Sequence, residues 1–401
     1  GGGVVLHLVV LGLRRTASAV VWRLRLCLSR TFRSIHPELP NSSTRLGSRF
    51  VDAMSDVAQK AEASAPPAGD GAAPEGQPNG AAADAATAPA AVRYPVVCPG
   101  HARPVVDVRF SRHTEDGVFL VSGCHDKLPM LRWGDNGDWI GSFDSHKGAV
   151  WSAAFNSDAT KVVTGSGDFA ARLLDAVSGK LIHTFEHKHV VKTVEFSKDD
   201  QLLLTGGKGK TLRVFDLSAP DYTCLATMDT KVAIRKASWV YNPKEPNSKG
   251  KIVCGCEDGS VQVWNPDTPD KPVQEWKVGE DVKDLEVSES QGVIVVGAGK
   301  SVYFYDLVSF KLIRQHDLKI NVEGLSLNPV TGAQFVAGGD TDLWVHVFDT
   351  ETGKELSSHT GHHGPIFCLR YHPDGEIFAS GSEDGTVRLW KPTLETPKVE
   401  E

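Results

Sequence analysis

The chain has 401 residues, of which 23% are charged and 40% hydrophobic, with 39 Gly, 9 Trp and 3 Met. That is soluble globular material suited to short strands and tight turns, and it excludes a fibrous or disulfide-stapled class. The net charge of −7 is uneven, with eight arginines against two acids in residues 1–53 and −10 over residues 94–401. A body this acidic argues against bulk nucleic-acid binding, which neutralises phosphates with Lys and Arg.

At the front, apolar blocks at 4–13 and 20–28 are interrupted by Arg14, Arg15, Arg23 and Arg25. Neither approaches the roughly 18–20 residues needed to span a bilayer. No positive region precedes the first block, as a signal peptide requires. The first methionine is Met54, and residues 1–53 are expected to be translated upstream sequence or a presequence, not a folded unit. Residues 54–93 are rich in Ala, Pro and Gly, with Val57 the one apolar residue larger than Ala between Ser55 and Ala91. Such a segment cannot offset its ordering entropy by burial, so a disordered leader is expected.

From Tyr94 onward the chain repeats. The last unit reads GHHGPIFCLRYHPDGEIFASGSEDGTVRLW from Gly361 to Trp390, and related openings stand at Gly100, Ser145 and Glu186. The residues aligned with Trp390 are Arg132, Leu174, Phe215, Trp264, Tyr305 and Phe348, spaced 42, 41, 49, 41, 43 and 42 residues apart to Trp390 itself. The long interval holds a turn-rich insertion, Asn242–Lys251. Strands such as Val150–Phe155 are apolar on both alternating sets, as expected of a strand buried on both faces. Asp258-Gly259 and Asp384-Gly385 read as hairpin turns that supply positive φ. No unit can bury both faces alone, so stability must come from stacking and ring closure.

A period near 42 residues with G-H and W-D signatures resembles the WD-repeat family, which implies an all-β, seven-bladed β-propeller over residues 94–392, followed by a flexible tail at 393–401. In that family each repeat begins with the outer strand of the preceding blade. Tyr94–Cys98 holds that place with no blade before it, so it is expected to pair with the last repeat and close the ring.

The resemblance also gives a structural reading to residues that look catalytic. His362, Ser380, Asp384 and Trp390 match the family's buried hydrogen-bonded tetrad, as do His101, Ser122 and Asp126, and His146, Thr164 and Asp168. Arg132 and Leu174 replace Trp in those two units; the third keeps His187 and Thr205 but has Gly209 for Asp. Recurrence around a ring argues against one active site.

GGKGKT at Gly206–Thr211 is not a phosphate loop, because Leu204 stands where the first Gly is required. Cys254 and Cys256 form C-x-C without a second ligand pair, and i, i+2 spacing on a strand reads as buried packing. Seven cysteines without a framework favour a reducing compartment. No carboxylate cluster stands out for the central channel. Catalytic residues, cofactors and metals are therefore not expected.

Departures from the average repeat narrow the resemblance. Pro129–Trp151, Asp175–Lys180, His187–Ser197, Leu203–Leu217 and Val336–Leu343 are similar to a scaffold branch of the WD-repeat family. Members of that branch associate with the survival-motor-neuron complex and its Gemin-type and Sm proteins, in spliceosomal snRNP assembly and mRNA splicing. In animals they also associate with transforming-growth-factor-β receptor kinases and Smads. The resemblance implies a non-catalytic protein scaffold, cytoplasmic and nuclear, without a membrane span. The alternatives are the WD-repeat subunit of translation initiation factor three and a ubiquitin-ligase substrate receptor. Arg132, Trp133 and Trp139 are candidate partner contacts, since aromatic and Arg anchors carry interface energy. The insertion Asn242–Lys251 is a second candidate surface.

Overall fold

The computed structural model describes residues 94–245 and 248–392. The segments expected as upstream sequence (1–53), leader (54–93) and tail (393–401) lie outside the described residues. Each unit folds as one antiparallel sheet of four strands, and seven such sheets follow one another as the blades of a propeller. Blade 2 is typical, with strands Val150–Phe155, Lys161–Ser166, Ala170–Asp175 and Leu181–Glu186. Its inner strands are buried on both faces by neighbouring blades, and its fourth strand is largely exposed. Burial on two faces removes the alternation of a half-exposed strand. All seven residues at the Trp390 position are buried, whether aromatic, Leu174 or Arg132.

The hairpin turns are closed by residues with positive φ, Gly259 at 77° and Gly385 at 75°. Lys127, Phe169 and Lys210 adopt similar angles without glycine. The innermost strand of each blade lies against that of the next, and Val105–Phe110 of blade 1 meets Ile366–Tyr371 of blade 7. In six blades this strand carries a bulge at the same place, for example between Val105 and Asp107 and between Ile366 and Cys368. A bulge re-aims a side chain. The extra residue is Val106, Trp151, Lys192, Arg235, Lys283 or Phe367 in turn.

The ring closes through the strand Val96–Cys98, which pairs antiparallel with Val387–Trp390 as the fourth strand of blade 7 (Val96↔Leu389, Cys98↔Val387). Cys98 then packs with Val105, Val108 and Leu120 of blade 1 and Val387 and Leu389 of blade 7. The two ends of the repeat array are thus joined in one sheet and one core. Deleting residues 94–98 is expected to lower Tm by roughly 5–10 °C, at ~2–4 °C per kcal/mol for a domain of this size. Calorimetry showing an unchanged Tm would refute this account of closure.

Candidate protein-interaction site

The polar groups expected to form tetrads come together in three blades. In blade 7, His362 Nδ1 lies 2.9 Å from Asp384 and Nε2 lies 2.6 Å from Ser380 Oγ, to which Trp390 Nε1–H donates at 2.8 Å. In blade 1, His101 stands 2.8 Å from Asp126 and 2.7 Å from Ser122. In blade 2, His146 stands 3.0 Å from Asp168 and 2.7 Å from Thr164. Burial pulls the His146 and His362 imidazoles below their ordinary pKa, against the pull of the aspartates. For Asp126, burial would raise the carboxyl pKa, but hydrogen bonds from His101 and the Leu128 N–H outweigh it and bring it to about 2. His101, Cys124 and Asp126 have ligand atoms within 4.8 Å of one another. They offer no open metal position, because both His101 nitrogens are engaged and Cys124 Sγ bonds the Arg103 carbonyl at 3.1 Å.

Arg132 is not a surface contact. It is 3% exposed, and its guanidinium donates to the Gly137 carbonyl at 3.1 Å and to the Pro99 carbonyl. An arginine in the indole's place thus latches the 134–138 loop to the segment that follows the closing strand. Trp133 is half-buried against Phe119, with ring centroids 5.0 Å apart. Trp139 is 52% exposed, its indole N–H turned to Ser142.

Carboxylates do line the inner strands, contrary to the sequence reading. Asp107, Glu195, Asp284 and Glu286 sit there at alternate positions. Asp107 meets Lys236 of blade 4 at 2.7 Å, and Asp284 of blade 5 takes both terminal nitrogens of Arg370 in blade 7 at 2.7 and 2.9 Å. Burial alone would raise both aspartates, and these cations hold them below the usual carboxylate range. Among the described residues no salt bridge reaches Glu195 or Glu286, and burial raises them. Glu286 accepts from the Leu327 N–H at 2.7 Å, and Glu195 from the Ser238 hydroxyl at 3.1 Å. Through these bonds the four carboxylates link one blade to another, Glu195 through Oε1 alone.

On one rim of the ring the bulge residues and neighbouring turns form a charged belt that sequence reasoning missed. Lys192 Nζ sits 2.8 Å from the centre of the Trp151 ring, and His125 packs edge-on to the same indole at 4.4 Å. Glu257 bridges Lys208 and Arg235, Asp281 bridges Arg235 and Lys283, and Glu323 meets Lys283 at 3.1 Å. Burial, with Arg235 and Lys208 nearby, brings the Lys192 ammonium down to about 7. The signal was the residue after the first apolar position of each inner strand, but its meaning depends on the bulge.

The profile "WD domain, G-beta repeat" matches residues 135–175, 179–216 and 353–391. Serine-threonine kinase receptor-associated proteins of Homo sapiens and Gallus gallus are 42% and 43% identical, covering 74% and 75% of this chain and 82% and 83% of theirs. That of Dictyostelium discoideum is 41% identical over 75% of this chain and 99% of its own length. The chain belongs to the serine-threonine kinase receptor-associated protein family. Eukaryotic translation initiation factor 3 subunit I of Kluyveromyces lactis is 26% identical over 74% of this chain and 91% of its own.

As a WD-repeat member of this family the protein is a protein-interaction scaffold, and the site in question is a surface. The rim belt and Trp139 offer the aromatic and arginine groups that anchor partners. The described part of the insertion borders a groove of about 680 Å³ with Lys198, Tyr241 and Glu289. No helix of the described residues is long and apolar enough to cross a membrane.

Two tests follow. Asp107→Ala strands Lys236 without its counter-ion and should cost about 3–5 kcal/mol. The double variant Asp107→Leu/Lys236→Met should recover most of that in urea titrations. Asp126→Ala should lose about 1–3 kcal/mol at pH 7. Because the Asp126 pKa is depressed in the fold, its contribution is present above about pH 4 and disappears as pH falls towards about 2. Urea titrations at pH 7 and pH 3 should therefore show the gap between variant and wild type narrowing.

Proposed function

We propose that the protein is a non-catalytic scaffold of the survival-motor-neuron complex, cytoplasmic and nuclear, supporting spliceosomal snRNP assembly and mRNA splicing. In animals a receptor-kinase signalling role accompanies it. The observation that carries the reading is the 41–43% identity to serine-threonine kinase receptor-associated proteins, against 26% to the initiation-factor subunit. The match spans 99% of the Dictyostelium protein, so in that relative the propeller makes up nearly the whole chain.

Scaffolding suits the chemistry. The tetrad histidines and aspartates of blades 1, 2 and 7 and the inner Asp–Lys and Asp–Arg pairs are engaged within and between blades, while exposed groups form a mixed-charge rim with aromatic anchors. The −10 body favours protein partners over phosphate backbones.

Affinity purification of the full chain from native extract, with and without nuclease, tests the reading by mass spectrometry. Survival-motor-neuron, Gemin-type and Sm proteins should be retained after nuclease treatment, and Trp139→Ala should reduce their recovery several-fold without changing Tm. Recovery of initiation-factor subunits instead would overturn the assembly role. Wild-type recovery with Trp139→Ala would remove Trp139 from the contact surface.

A further inference from the structure

Blade 3 aligns with blade 2 residue by residue around the tetrad, with His187 for His146, Thr205 for Thr164, Arg213 for Arg172, Gly207 for Ser166 and Gly209 for Asp168. In blade 2, Asp168 is where three donors converge. It lies 3.0 Å from His146 Nδ1, accepts from the Lys147 N–H at 2.9 Å and meets the Arg172 guanidinium at 3.1 Å. Blade 3 keeps the histidine, the following backbone N–H of Lys188 and the arginine, and lacks the carboxylate.

The loss is visible in the remaining groups. His187 Nε2 and Thr205 Oγ1 are buried without hydrogen-bond partners. The matching pair is bonded at 2.6–2.7 Å in blades 1, 2 and 7. A cavity of about 200 Å³ opens at this place, lined by His187, Lys188, His189, Gly207, Gly209 and Arg213 among others, with no acidic side chain in its wall. Arg213 donates to the Glu186 carbonyl at 3.2 Å, as Arg172 does to that of Ser145, but among the described residues it pairs with no carboxylate. Lys208, beside it, is neutralised by Glu257 at 2.5 Å. No hydrogen bond or ion pair engages the Lys188 ammonium among the described residues.

An arginine without a carboxylate, a backbone donor and an imidazole around a position that holds a carboxylate in blade 2, with Lys188 in the cavity wall, form a site for an anion. The volume is below the roughly 300–1,000 Å³ of pockets for drug-sized ligands and larger than one carboxylate fills. We propose that the blade 3 cleft binds a phosphoryl oxyanion, either free or carried on a partner's side chain, which takes the place of the missing tetrad aspartate. This differs from a nucleotide loop, since Gly206–Thr211 runs from the end of one strand through a tight turn into the next and the donors are His187, Lys188 and Arg213. The inference stands apart from the identity of the scaffold's partners, and its failure would leave that reading untouched.

The experiment is a titration of the full chain with inorganic phosphate and, in parallel, with a phosphoserine peptide, read by Tm and by the His187 ring resonances. Gly209→Asp is the decisive variant. A Cβ at Gly209 meets nothing closer than 3.6 Å and its φ is not in the left-handed region, so the aspartate fits. It should raise Tm without added anion, by restoring the His187–Thr205 contact, and should abolish the response to phosphate. Arg213→Gln should weaken the response at least tenfold. The general stabilising effect of phosphate is common to all variants and cancels. A tighter response to the peptide than to inorganic phosphate identifies a carried phosphoryl group; an equal or weaker one identifies a free anion. A wild-type chain whose His187 resonances do not move, or a Gly209→Asp chain that responds as wild type does, would overturn the proposal.

Discussion

Each innermost strand has one edge that faces no strand, and its N–H groups must find acceptors inside the ring. At five of the seven junctions they find them in side chains of the preceding blade. Asp107 accepts from Ala153, Ser152 from Val194, Thr193 from Ala237, Asp284 from Leu325 and Ser326 from Tyr371, at 2.9–3.4 Å. An unsatisfied buried donor costs about 1–3 kcal/mol, so each bond of this belt ties one sheet to the next. Where blade 4 offers Lys236, which cannot accept, Asp284 takes the Leu285 N–H at 2.9 Å with its own carboxylate.

The belt explains the buried charges. An aspartate is a good acceptor for a backbone N–H, but an ionised one inside the ring needs a cation. Lys236 and Arg370 answer Asp107 and Asp284 from blades that are not their neighbours. Such pairs add little net stability once desolvation is counted. Their consequence is geometric, because each spans the ring and sets which blades face one another. Arg370 also donates to the Leu325 carbonyl at 2.8 Å, so ion pair and belt share atoms.

The period, the turns and the closing strand were legible because each is a local pattern, such as glycine at positive φ or an apolar YPVVC with no blade before it. Arg132 reads as a contact because arginine anchors interfaces, whereas here its guanidinium fills the tryptophan's volume and bonds two carbonyls. The inner carboxylates were overlooked because VVDVRF and VKDLEVS read as alternating strands, and only the bulge shows which positions face inward. Trp151 and Lys192 are 41 residues apart in the chain and meet only when blades stack. Contacts between repeats are invisible to a pattern within one repeat.

Stacking also accounts for where the repeat has drifted. In a ring of units that each contact only their neighbours, stability is shared along the interfaces, and one blade can lose internal hydrogen bonds without unfolding. Blade 1 has replaced its tetrad tryptophan with an arginine that latches the closing segment. Blade 4 keeps Asp258 and Trp264 but has Cys254 at the Ser/Thr position, and the Trp264 indole N–H donates instead to Gln262 at 3.1 Å. Blade 3 lacks the aspartate, no group among the described residues takes its place, and His187 Nε2 and Thr205 Oγ1 are buried without partners. Two of these departures are compensated within the protein and one is not. The uncompensated one also keeps, as Arg213, the arginine whose blade 2 counterpart faces a carboxylate, and this is what leaves a positive charge at the cleft for an external anion.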